Sequence, residues 1–455
     1  MTGSLSRRSF SQSALAAAAA TALAPGRVRG ANDRVRLGFI GVGNRGCQLL
    51  TAFLPHEDAQ VVALCDVYEP YLHAAYDQVD PRFQGLGKRI PRMPELGSKV
   101  DRVSDFRRLL DRKDIDAIVI ATPDHWHAVQ MTHACRAGKD VYVEKPLSVT
   151  INEGRRMIEV ARETQRVVQV GTHRRSSALY ARMAKALGPD KAIGRVGTAR
   201  AGYASNMTPD GIGRDSGGGV VPKGLDWNLW LGPRPERPFR STVMPYKFRW
   251  HSLYSSQVAN WGVHYFDLIR WLTGESEPSS VSAYGRSGII NDDRTIPESV
   301  EAVLGHESGL LVSFSLTETS GHPLFPDGAE VEVRGTEGTA FANTSRYWIV
   351  PERGGQFQDP KPRRKAETVA AERDGRETDL DRLHARNFLD CVKSRATPHA
   401  DIAEGHRSTM YAHLVNLALA TGERLEWDAK SGRFRNSEAA NNLLHYEYRR
   451  PWTLG

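Results

Sequence analysis

A glycine-rich turn near the start of the chain constrains the fold more than any other feature of the sequence. Residues 41–46 read G-V-G-N-R-G and directly follow the apolar run of residues 36–40. Asp66 ends the next apolar run, twenty residues after Gly46. In this spacing the first glycine permits a tight strand-to-helix turn, the second admits a pyrophosphate, and the third lets helix and strand pack closely. The pattern therefore predicts a dinucleotide-binding unit, with the pyrophosphate at a helix N-terminus.

The acidic residue indicates which dinucleotide this unit binds. Asp66 is expected to accept hydrogen bonds from the adenosine ribose hydroxyls and to repel a 2′-phosphate. NAD is therefore favoured as the cofactor, with NADP as the alternative. The residues of the turn that are predicted to contact the cofactor are Gly41, Gly43, Asn44, Arg45 and Gly46.

The first 31 residues are typical of an export signal. Arg7 and Arg8 precede an alanine-rich run, residues 14–24, that is too short to span a bilayer. Paired arginines before a weak apolar segment indicate the twin-arginine export machinery, which exports folded proteins. We therefore predict a periplasmic or otherwise extracytoplasmic protein that acquires its cofactor before export. The alternative is an alanine-rich helix of the mature domain.

Charge and composition argue against several classes of partner. The 455-residue chain carries a net charge of +8, but its basic residues are scattered among acidic ones. A nucleic-acid surface would need clustered arginines and stacking aromatic residues, so no nucleic-acid partner is expected. No run of eighteen apolar residues follows the signal, so no membrane span is expected in the mature chain. The four cysteines lack metal-ligand spacing, so we expect buried thiols and no metal site.

Strands and helices alternate in the first predicted domain, residues 32–171. Apolar runs predict strands at 60–65, 117–121, 140–143 and 167–170, and helical spacing predicts helices at 124–137 and 151–164. This alternation predicts an α/β fold with a doubly wound parallel sheet.

The pattern changes in the second predicted domain, residues 172–455. Helices are predicted at 176–187, 262–273, 380–394 and 402–421, and strands at 193–204, 278–285, 299–306, 309–319, 329–335 and 338–350. Successive strands without intervening helices predict a large, mostly antiparallel open sheet in an α/β domain. Residues 353–378 are highly charged and are predicted to form a mobile surface loop.

Two strand ends supply candidate residues for a cofactor cleft. Lys145 follows a strand at the carboxyl edge of the sheet, where doubly wound folds bind ligands. It is placed to face the nicotinamide, to donate to a substrate hydroxyl and to transfer a proton when partly desolvated. The alternatives are a solvated lysine and, for the histidines of the preceding strand end, a structural helix N-terminus. The further cofactor contacts predicted here are Thr122, Pro123, His125, His127 and Glu144.

Candidate substrate contacts lie on a helix of the second domain and at a strand end. Asn260 and His264 are four residues apart and share a helix face, which makes His264 a candidate proton-transfer partner for Lys145. Asp267 is placed to orient His264 or to pair with Arg270. Cations at the strand end suit sugars or acidic sugar derivatives, although a purely structural role is the alternative for each residue. The predicted substrate contacts are His173, Arg174, Asn260, Trp261 and Asp267.

Together these motifs resemble the Gfo/Idh/MocA oxidoreductases, specifically their twin-arginine-exported branch. The motifs that carry the resemblance are residues 41–46, 122–127, 144–146, 226–232 and 261–264, and it continues at residues 387–391, 405–408 and 451–452. The resemblance implies a Rossmann domain, a second α/β domain that often forms homodimers or homotetramers, and NAD(P)-dependent chemistry on sugars, inositols and related polyols. It assigns the catalytic lysine to Lys145 and the catalytic histidine to His264. The family commonly has an aspartate where this chain has Asn260, and an amide cannot accept a proton.

Three functional hypotheses follow. The first is an oxidoreductase that transfers hydride at a secondary alcohol of a sugar or polyol and retains its cofactor, which a second substrate reoxidises. The second is a redox-neutral glycosidase or lyase that oxidises, eliminates and reduces within one substrate. The third is a non-catalytic protein that binds a dinucleotide or a carbohydrate, because a fold alone does not fix an activity.

Overall fold

The structure is a computed structural model that describes residues 34–84, 92–97, 99–188, 191–215, 218–372 and 378–455. The predicted export signal, residues 1–31, lies outside the described residues. The strands are β1 (Val35–Ile40), β2 (Ala59–Cys65), β3 (Asp101–Val103), β4 (Ala117–Ile120), β5 (Asp140–Val143), β6 (Val168–Val170), β7 (Val196–Asn206), β8 (Ser280–Arg286), β9 (Ser299–Gly305), β10 (Leu311–Thr317), β11 (Thr319–Ser320), β12 (Val331–Gly335), β13 (Gly338–Ala342), β14 (Arg346–Pro351), β15 (Glu367–Ala370), β16 (Leu425–Asp428) and β17 (Arg433–Phe434).

Helices connect most strands of the first half and close the second. The helices are α1 (Asn44–Phe53), α2 (Glu69–Leu72), α3 (Pro81–Gln84), α4 (Arg107–Leu110), α5 (His127–Arg136), α6 (Ile151–Glu163), α7 (Ala178–Leu187), α8 (Trp227–Leu231), α9 (Val263–Thr273), α10 (Leu380–Ser394), α11 (Ile402–Thr421) and α12 (Glu438–Asn442). Short 3₁₀ turns at Asp124–Trp126 and His173–Ser176 follow β4 and β6.

The first sheet is parallel throughout, as the alternation of strands and helices predicts. Its six strands lie in the order β3-β2-β1-β4-β5-β6. Every residue of β4 and β5 is buried, because helices cover both faces of such a sheet. The order reverses direction between β1 and β4, so the carboxyl ends of these two strands border the crevice in which such sheets bind ligands.

The second sheet is large and mostly antiparallel, also as predicted. Its eleven strands include one parallel pair, β7 with β10. Residues of β9 and β10 alternate between buried and less buried, which is typical of a sheet with one covered face. The covered face packs on α7, α9 and α11 around Phe266 and Phe314.

The other face of this second sheet, here called the open sheet face, presents apolar side chains. Tyr284 is 75% exposed, Val303 46% and Leu311 49%. The strand register places the three on one face, since Val303 pairs with Ser282 and Leu311 pairs with Gly305. The sheet is therefore a single layer against helices, with an apolar surface on its far side.

Two predictions for the second half were wrong in detail. Residues 338–350, predicted as one strand, form the hairpin of β13 and β14. Asn343 causes the turn, because its Oδ1 accepts hydrogen bonds from the backbone N–H groups of Ser345 and Arg346. The predicted loop at 353–378 contains β15, which pairs with β14; residues 373–377 of that prediction lie outside the described residues.

Helix α10 returns from the second half to the first sheet. Phe388 is fully buried, and its ring lies 6.1 Å from that of Phe53 and 5.9 Å from that of Tyr142. One core therefore contains residues of β1, β5, α1 and α10. The first sheet is completed by a segment more than two hundred residues further along the chain.

All four cysteines are buried free thiols. Within the described ranges, no helix is both long and apolar enough to cross a bilayer. Across the same residues, no group of three or more His, Cys, Asp or Glu side chains is arranged to hold a metal ion.

Candidate active site

The glycine-rich turn between β1 and α1 has the geometry that its sequence predicts. Gly41 has a φ of +87°, and a Cβ there would lie 2.8 Å from the backbone of Ala121 on the neighbouring strand. A Cβ on Gly46 would lie 2.0 Å from the Gly41 carbonyl oxygen, so helix and strand pack through this glycine. By contrast, a Cβ on Gly43 would meet only Tyr71, at 4.0 Å. The middle of the turn is thus open to a ligand.

A cleft with about 970 Å³ of empty space runs along the carboxyl ends of β1, β2 and β4. Seven of the predicted cofactor contacts line it: Gly41, Gly43, Asn44, Arg45, Asp66, Thr122 and Pro123. These residues fit a dinucleotide, with backbone N–H groups at the start of α1 for the pyrophosphate and a carboxylate at the end of β2 for a ribose.

Asp66 is held in place at the end of β2 by two backbone groups. The Val42 N–H donates to Asp66 Oδ2 at 2.8 Å, and the Tyr68 N–H donates to Oδ1 at 3.0 Å. Burial raises the pKa of Asp66 to about 6. The carboxylate therefore has a fixed position and loses its charge under mildly acidic conditions.

Arg45 and Glu144 join the glycine-rich turn to the end of β5. Arg45 Nε donates to Glu144 Oε1 at 2.8 Å, and its terminal nitrogens donate to both carboxylate oxygens of Asp381, each at 2.8 Å. Asp381 lies on α10, so the helix that completes the first sheet also braces the cofactor turn. The partners of Arg45 lie 99 and 336 residues away in sequence, which is why the sequence gives no sign of them.

Lys145 points toward the helix that carries Asn260. Its Nζ donates to the backbone oxygen of Asn260 at 2.7 Å and to the side-chain Oδ1 at 3.1 Å. Burial lowers the pKa of Lys145 to about 8. Residues Val258–Gly262 form a π-helical turn that continues directly into α9 and presents Asn260 to the lysine. Near neutral pH such a lysine can be populated in both protonation states.

The orientation of the Asn260 amide is set by hydrogen bonds on the side away from Lys145. Asn260 Nδ2 donates to Gln257 Oε1 at 2.9 Å, and Gln257 Nε2 donates to Glu318 Oε1 at 3.1 Å. Glu318 is fully buried and also accepts from Trp250 Nε1 at 2.9 Å. The buried carboxylate of Glu318 thus orients the Gln257 amide, and Gln257 in turn orients the Asn260 amide. Asn260 therefore directs its oxygen, not its NH₂ group, at Lys145.

His264 and His173 lie together beside this lysine. Their ring centroids are 5.2 Å apart, and His264 is 8% exposed. Burial, followed by the positive charge of Lys145, holds the pKa of His264 well below its usual value. Among the described residues His264 Nδ1 has no hydrogen-bond partner. A neutral imidazole with a free nitrogen thus adjoins a lysine whose proton is easily lost.

The arginines predicted to bind acidic substrates are neutralised by the protein. Arg174 donates to both oxygens of Glu330, at 3.0 and 2.7 Å. Arg175 Nε donates to Asp267, which also accepts from Ser408. The sequence predicts that Asp267 orients His264 or pairs with Arg270. In the structure it does neither, and it binds Arg175 instead. Both arginines are thus paired with carboxylates that are distant in sequence, Glu330 and Asp267.

The predicted histidines of residues 122–127 bind backbone oxygens and do not line the cleft. His125 Nε2 lies 2.9 Å from the Trp230 carbonyl oxygen, and the two His127 nitrogens lie 2.8 and 3.0 Å from the carbonyl oxygens of Pro146 and Thr122. His127 thus joins two strand-end loops and His125 joins one of them to α8, so both have the structural role that was the alternative. Trp261 stacks on Tyr203 with ring centroids 4.1 Å apart, forming an aromatic surface next to Asn260.

One cleft segment was not found by sequence reasoning. Tyr246, Phe248 and Arg249 line the cleft opposite the glycine-rich turn. Arg249 donates to the Tyr246 carbonyl oxygen at 3.2 Å, and its guanidinium lies 4.0 Å from the Tyr246 ring centroid and 4.4 Å from that of Phe248. The cluster of aromatic residues and arginine at 246–250 is the signal that could have indicated it.

A parallel Rossmann sheet with an open glycine turn, a carboxylate fixed at the end of β2 and a desolvated lysine just after β5 is typical of NAD-binding dehydrogenase domains. The chain belongs to the Gfo/Idh/MocA family. The model for the oxidoreductase family's NAD-binding Rossmann fold matches residues 35–172, that for the GFO/IDH/MocA C-terminal domain matches 230–341, and that for the family's C-terminal alpha/beta domain matches 376–454. These matches together cover well over half of the chain.

A curated relative is similar over a shorter stretch. An alpha-N-acetylgalactosaminidase of Shewanella oneidensis is 32% identical over 132 residues, which are 29% of this chain and 27% of that protein. The chain thus spans about a quarter of the length of the curated relatives that it matches first.

Solved structures share the fold over most of the chain. A levoglucosan dehydrogenase in complex with NADH and levoglucosan superposes with a TM-score of 0.62 at 18% identity, covering 86% of this chain and 99% of that one. The WlbA dehydrogenase of Bordetella pertussis, in complex with NADH and UDP-GlcNAcA, superposes with a TM-score of 0.60 at 20% identity, covering 87% and 99%. At these identities the likeness establishes the fold.

Proposed function

We propose that the protein is an NAD-dependent oxidoreductase that acts on a secondary alcohol of a sugar, a polyol or a sugar derivative. The observation that carries this proposal is Lys145, which is half-buried at the carboxyl end of β5, has a pKa of about 8, and lies near the neutral His264. The names of structurally similar proteins, levoglucosan dehydrogenase among them, support the substrate class.

Bound NAD would supply the hydride acceptor or donor for this reaction, and side chains of this protein move the proton. Neutral Lys145 takes the hydroxyl proton of the substrate as the carbonyl forms, and gives it back in the reverse direction. His264, whose low pKa keeps it uncharged, hydrogen-bonds the same oxygen and orients it. Trp261 and Tyr203 supply an aromatic surface for a sugar ring.

Asn260 changes how the lysine is controlled. An amide oxygen accepts a hydrogen bond from Nζ but adds no negative charge, so the lysine keeps the low pKa that burial gives it. An aspartate at this position would favour the ammonium form. With asparagine at this position, Lys145 is more easily neutral than it would be beside an aspartate. A neutral lysine can act as the base.

The first experiment identifies the cofactor and its reactivity. The purified mature protein is denatured and the released nucleotide is weighed by mass spectrometry, after absorbance near 340 nm has been followed while sugars are added. Bound NAD that one sugar reduces and a second reoxidises is the expected result. If the protein neither contains nor takes up NAD or NADP, the enzymatic proposal is wrong and a binding protein on an inherited fold remains.

A redox-neutral glycosidase is the second candidate, and the name of the Shewanella oneidensis relative favours it. Such an enzyme would oxidise one hydroxyl, eliminate across the acidified carbon and reduce the product, with Lys145 and His264 in the same roles. Release of a leaving group from a nitrophenyl glycoside without net NADH accumulation would distinguish it from the dehydrogenase.

We further propose that residues 1–31 direct export by the twin-arginine route, that residues 32–171 and 172–455 form the two mature domains, and that the cofactor travels with the folded protein. The support is the paired arginines before an apolar run, together with a cleft that several parts of the chain enclose. Replacing Arg7 and Arg8 with lysine should leave the protein, with its NAD, in the cytoplasmic fraction. Periplasmic recovery of that variant would contradict the proposal.

A homodimer or homotetramer formed through the open sheet face completes the proposal. Its support is the large exposed fraction of Tyr284, Val303 and Leu311 on one face of a single-layer sheet.

A further inference from the structure

A second cavity, with a volume of about 460 Å³, lies next to the Lys145 loop. Pro146 and Asp124 form one end of it, α11 forms a wall and the C-terminal tail at His445 and Tyr446 forms another. Neither Lys145 nor the glycine-rich turn lines it. The cavity is therefore separate from the cofactor cleft described above.

Arg234 is the feature of this cavity that requires explanation. The residue lines the cavity and is 6% exposed, and its Nε has no hydrogen-bond partner among the described residues. In the part of the chain that the structure describes, no carboxylate lies within ion-pair distance of it. Burial of an unpaired guanidinium is unfavourable, because the lost hydration is not replaced. The Arg234 guanidinium is thus buried without a negatively charged partner among the described residues.

Arg234 also stacks on an aromatic ring, and this contact leaves its Nε without a partner among the described residues. The guanidinium carbon lies 3.7 Å from the centroid of the Tyr446 ring. A guanidinium that stacks on an aromatic face keeps its N–H groups in the plane of the fork, where they can bind the two oxygens of a carboxylate or phosphate. The Tyr446 hydroxyl is itself buried without a hydrogen-bond partner among the described residues.

Two acidic groups beside the cavity, Asp124 and Glu153, are already engaged by other donors. Ser255 donates its hydroxyl to Asp124, whose pKa is raised by burial. Glu153 accepts from the backbone N–H groups of Val149 and Thr150 and from the Tyr448 hydroxyl. Both carboxylates are thus fixed by other donors.

The rest of the lining suits a hydroxylated molecule. Hydroxyl, amide and imidazole groups of Ser148, Thr150, Ser252, Asn416 and His413 alternate with apolar side chains such as Ile296 and Leu417. Ligand pockets commonly combine an apolar wall with a few polar groups that fix orientation, in volumes of about 300–1,000 Å³. A cavity of about 460 Å³ lies within this range and can hold a monosaccharide.

We propose that this cavity binds a sugar that carries an oxyanion, a carboxylate or a phosphate, with Arg234 as its anchor and the Tyr446 hydroxyl as a further donor. The proposal does not depend on the proposed oxidoreductase activity, since the cavity shares no catalytic side chain with it. It concerns binding alone, and binding is what the test measures.

The test uses the full mature protein with whatever nucleotide it retains. Isothermal titration calorimetry and thermal unfolding are recorded with glucuronate, glucose 6-phosphate, inorganic phosphate and uncharged glucose. We expect glucuronate or glucose 6-phosphate to bind and to raise the unfolding temperature, and glucose to bind at least about tenfold more weakly, as loss of a charged hydrogen bond requires. The acid that binds more tightly identifies the oxyanion, and binding by inorganic phosphate alone would limit the site to a free anion.

Four variants distinguish binding at this site from a general effect of positive charge. Arg234→Gln should weaken binding of the anionic sugar by about tenfold or more, and Arg234→Lys should also weaken it, because a lysine lacks the planar fork. Arg240→Gln removes the same charge from an exposed position of the same segment and should leave binding unchanged. If Arg234→Gln does not fold, Tyr446→Phe keeps the stacked ring and removes only the hydroxyl, and should weaken binding several-fold.

Two results would overturn the proposal. One is the absence of heat or stabilisation with all of the anions, and the other is equal affinity in wild type, Arg234→Gln and Tyr446→Phe. Lys145→Ala should retain anion binding in full, so failure of the oxidoreductase proposal and failure of this one are distinguishable.

Discussion

The proposed chemistry depends most on one side chain, that of Lys145. Replacement of Lys145 by Ala should lower kcat about 10²- to 10⁴-fold, the usual contribution of a positioned acid–base group. NAD affinity should change little, because the cleft residues that fit the dinucleotide remain. Steady-state kinetics and a binding titration on the same sample test this, and unchanged turnover of an identified substrate would refute it.

Asn260 provides a sharper test of the same lysine. With a pKa of about 8, Lys145 must lose its proton before it can act as the base, so kcat/KM for alcohol oxidation should rise with pH, reach half its maximum near pH 8 and level off about one unit higher. Asn260→Asp places a carboxylate beside Nζ, favours the ammonium form, and should move that rise upward by about one to three pH units. The matched control, Asn260→Ala, should not move it upward. A pH profile that is identical in the Asp variant would contradict the assigned role.

Asp66 should make NAD binding depend on pH. Its pKa in the free protein is about 6, and hydrogen bonds from ribose hydroxyls favour the ionised form, so binding releases a proton below that pH and is independent of pH above it. The dissociation constant should rise about tenfold between pH 7.5 and pH 5. Asp66→Asn should bind weakly with a flat profile.

A second cleft carboxylate serves as the control for this titration. Asp105 also lines the cleft, but the neighbouring Arg107 and backbone donors hold its pKa below the usual value against burial. Asp105→Asn should therefore leave the pH dependence of NAD binding in place. A flat profile in wild type would show that Asp66 does not contact the ribose in the way proposed.

At the scale of elements, α10 contributes to the stability of a sheet formed by the other end of the chain. Phe388 is fully buried between Phe53 and Tyr142, so Phe388→Ala should lower the free energy of unfolding by about 3–5 kcal/mol. Phe357, which is 91% exposed, provides the control: Phe357→Ala should have an effect within about 0.5 kcal/mol. Denaturant unfolding followed by circular dichroism measures both.

Elements of regular periodicity were predictable, whereas partners distant in sequence were not. Apolar runs predicted β4 and β5, and helical spacing predicted both ends of α10, because burial of one face is written into the local sequence. The turn at Asn343 went unrecognised because the residues on both sides of it are apolar enough to continue a strand. Nothing local indicated that α10 packs on the first sheet.

The same division holds in the site. Motifs at strand ends led directly to the glycine-rich turn, Asp66 and Lys145, since parallel strands present their carboxyl ends at one edge. Glu318 lies 61 residues from the glutamine it holds, and Glu330 lies 156 residues from Arg174, so neither partnership could be inferred. The consequence was that Arg174 was expected to face a substrate, although it is neutralised within the protein.

At the scale of the whole molecule, the open sheet face is the surface through which copies of the chain are expected to associate. A double variant, Tyr284→Glu with Val303→Glu, should shift the mass measured by light scattering to that of a single chain, because buried unpaired charges oppose association. Phe357→Glu alters an exposed aromatic residue outside this sheet and should leave the mass unchanged. A wild-type protein that is already monomeric at micromolar concentration would refute the expectation.

The packing of α10 also sets an order of events in time. Asp381 braces the cofactor turn and Phe388 closes the core beneath it, yet both are synthesised more than three hundred residues after the turn itself. During translation the emerging first sheet must therefore wait, with an uncovered apolar surface and with Arg45 lacking its partner Asp381, until nearly the whole chain has left the ribosome. We therefore expect cofactor binding to be a late step of biogenesis. A chain truncated before α10 would lack Asp381 and Phe388 and is expected to retain the cofactor poorly.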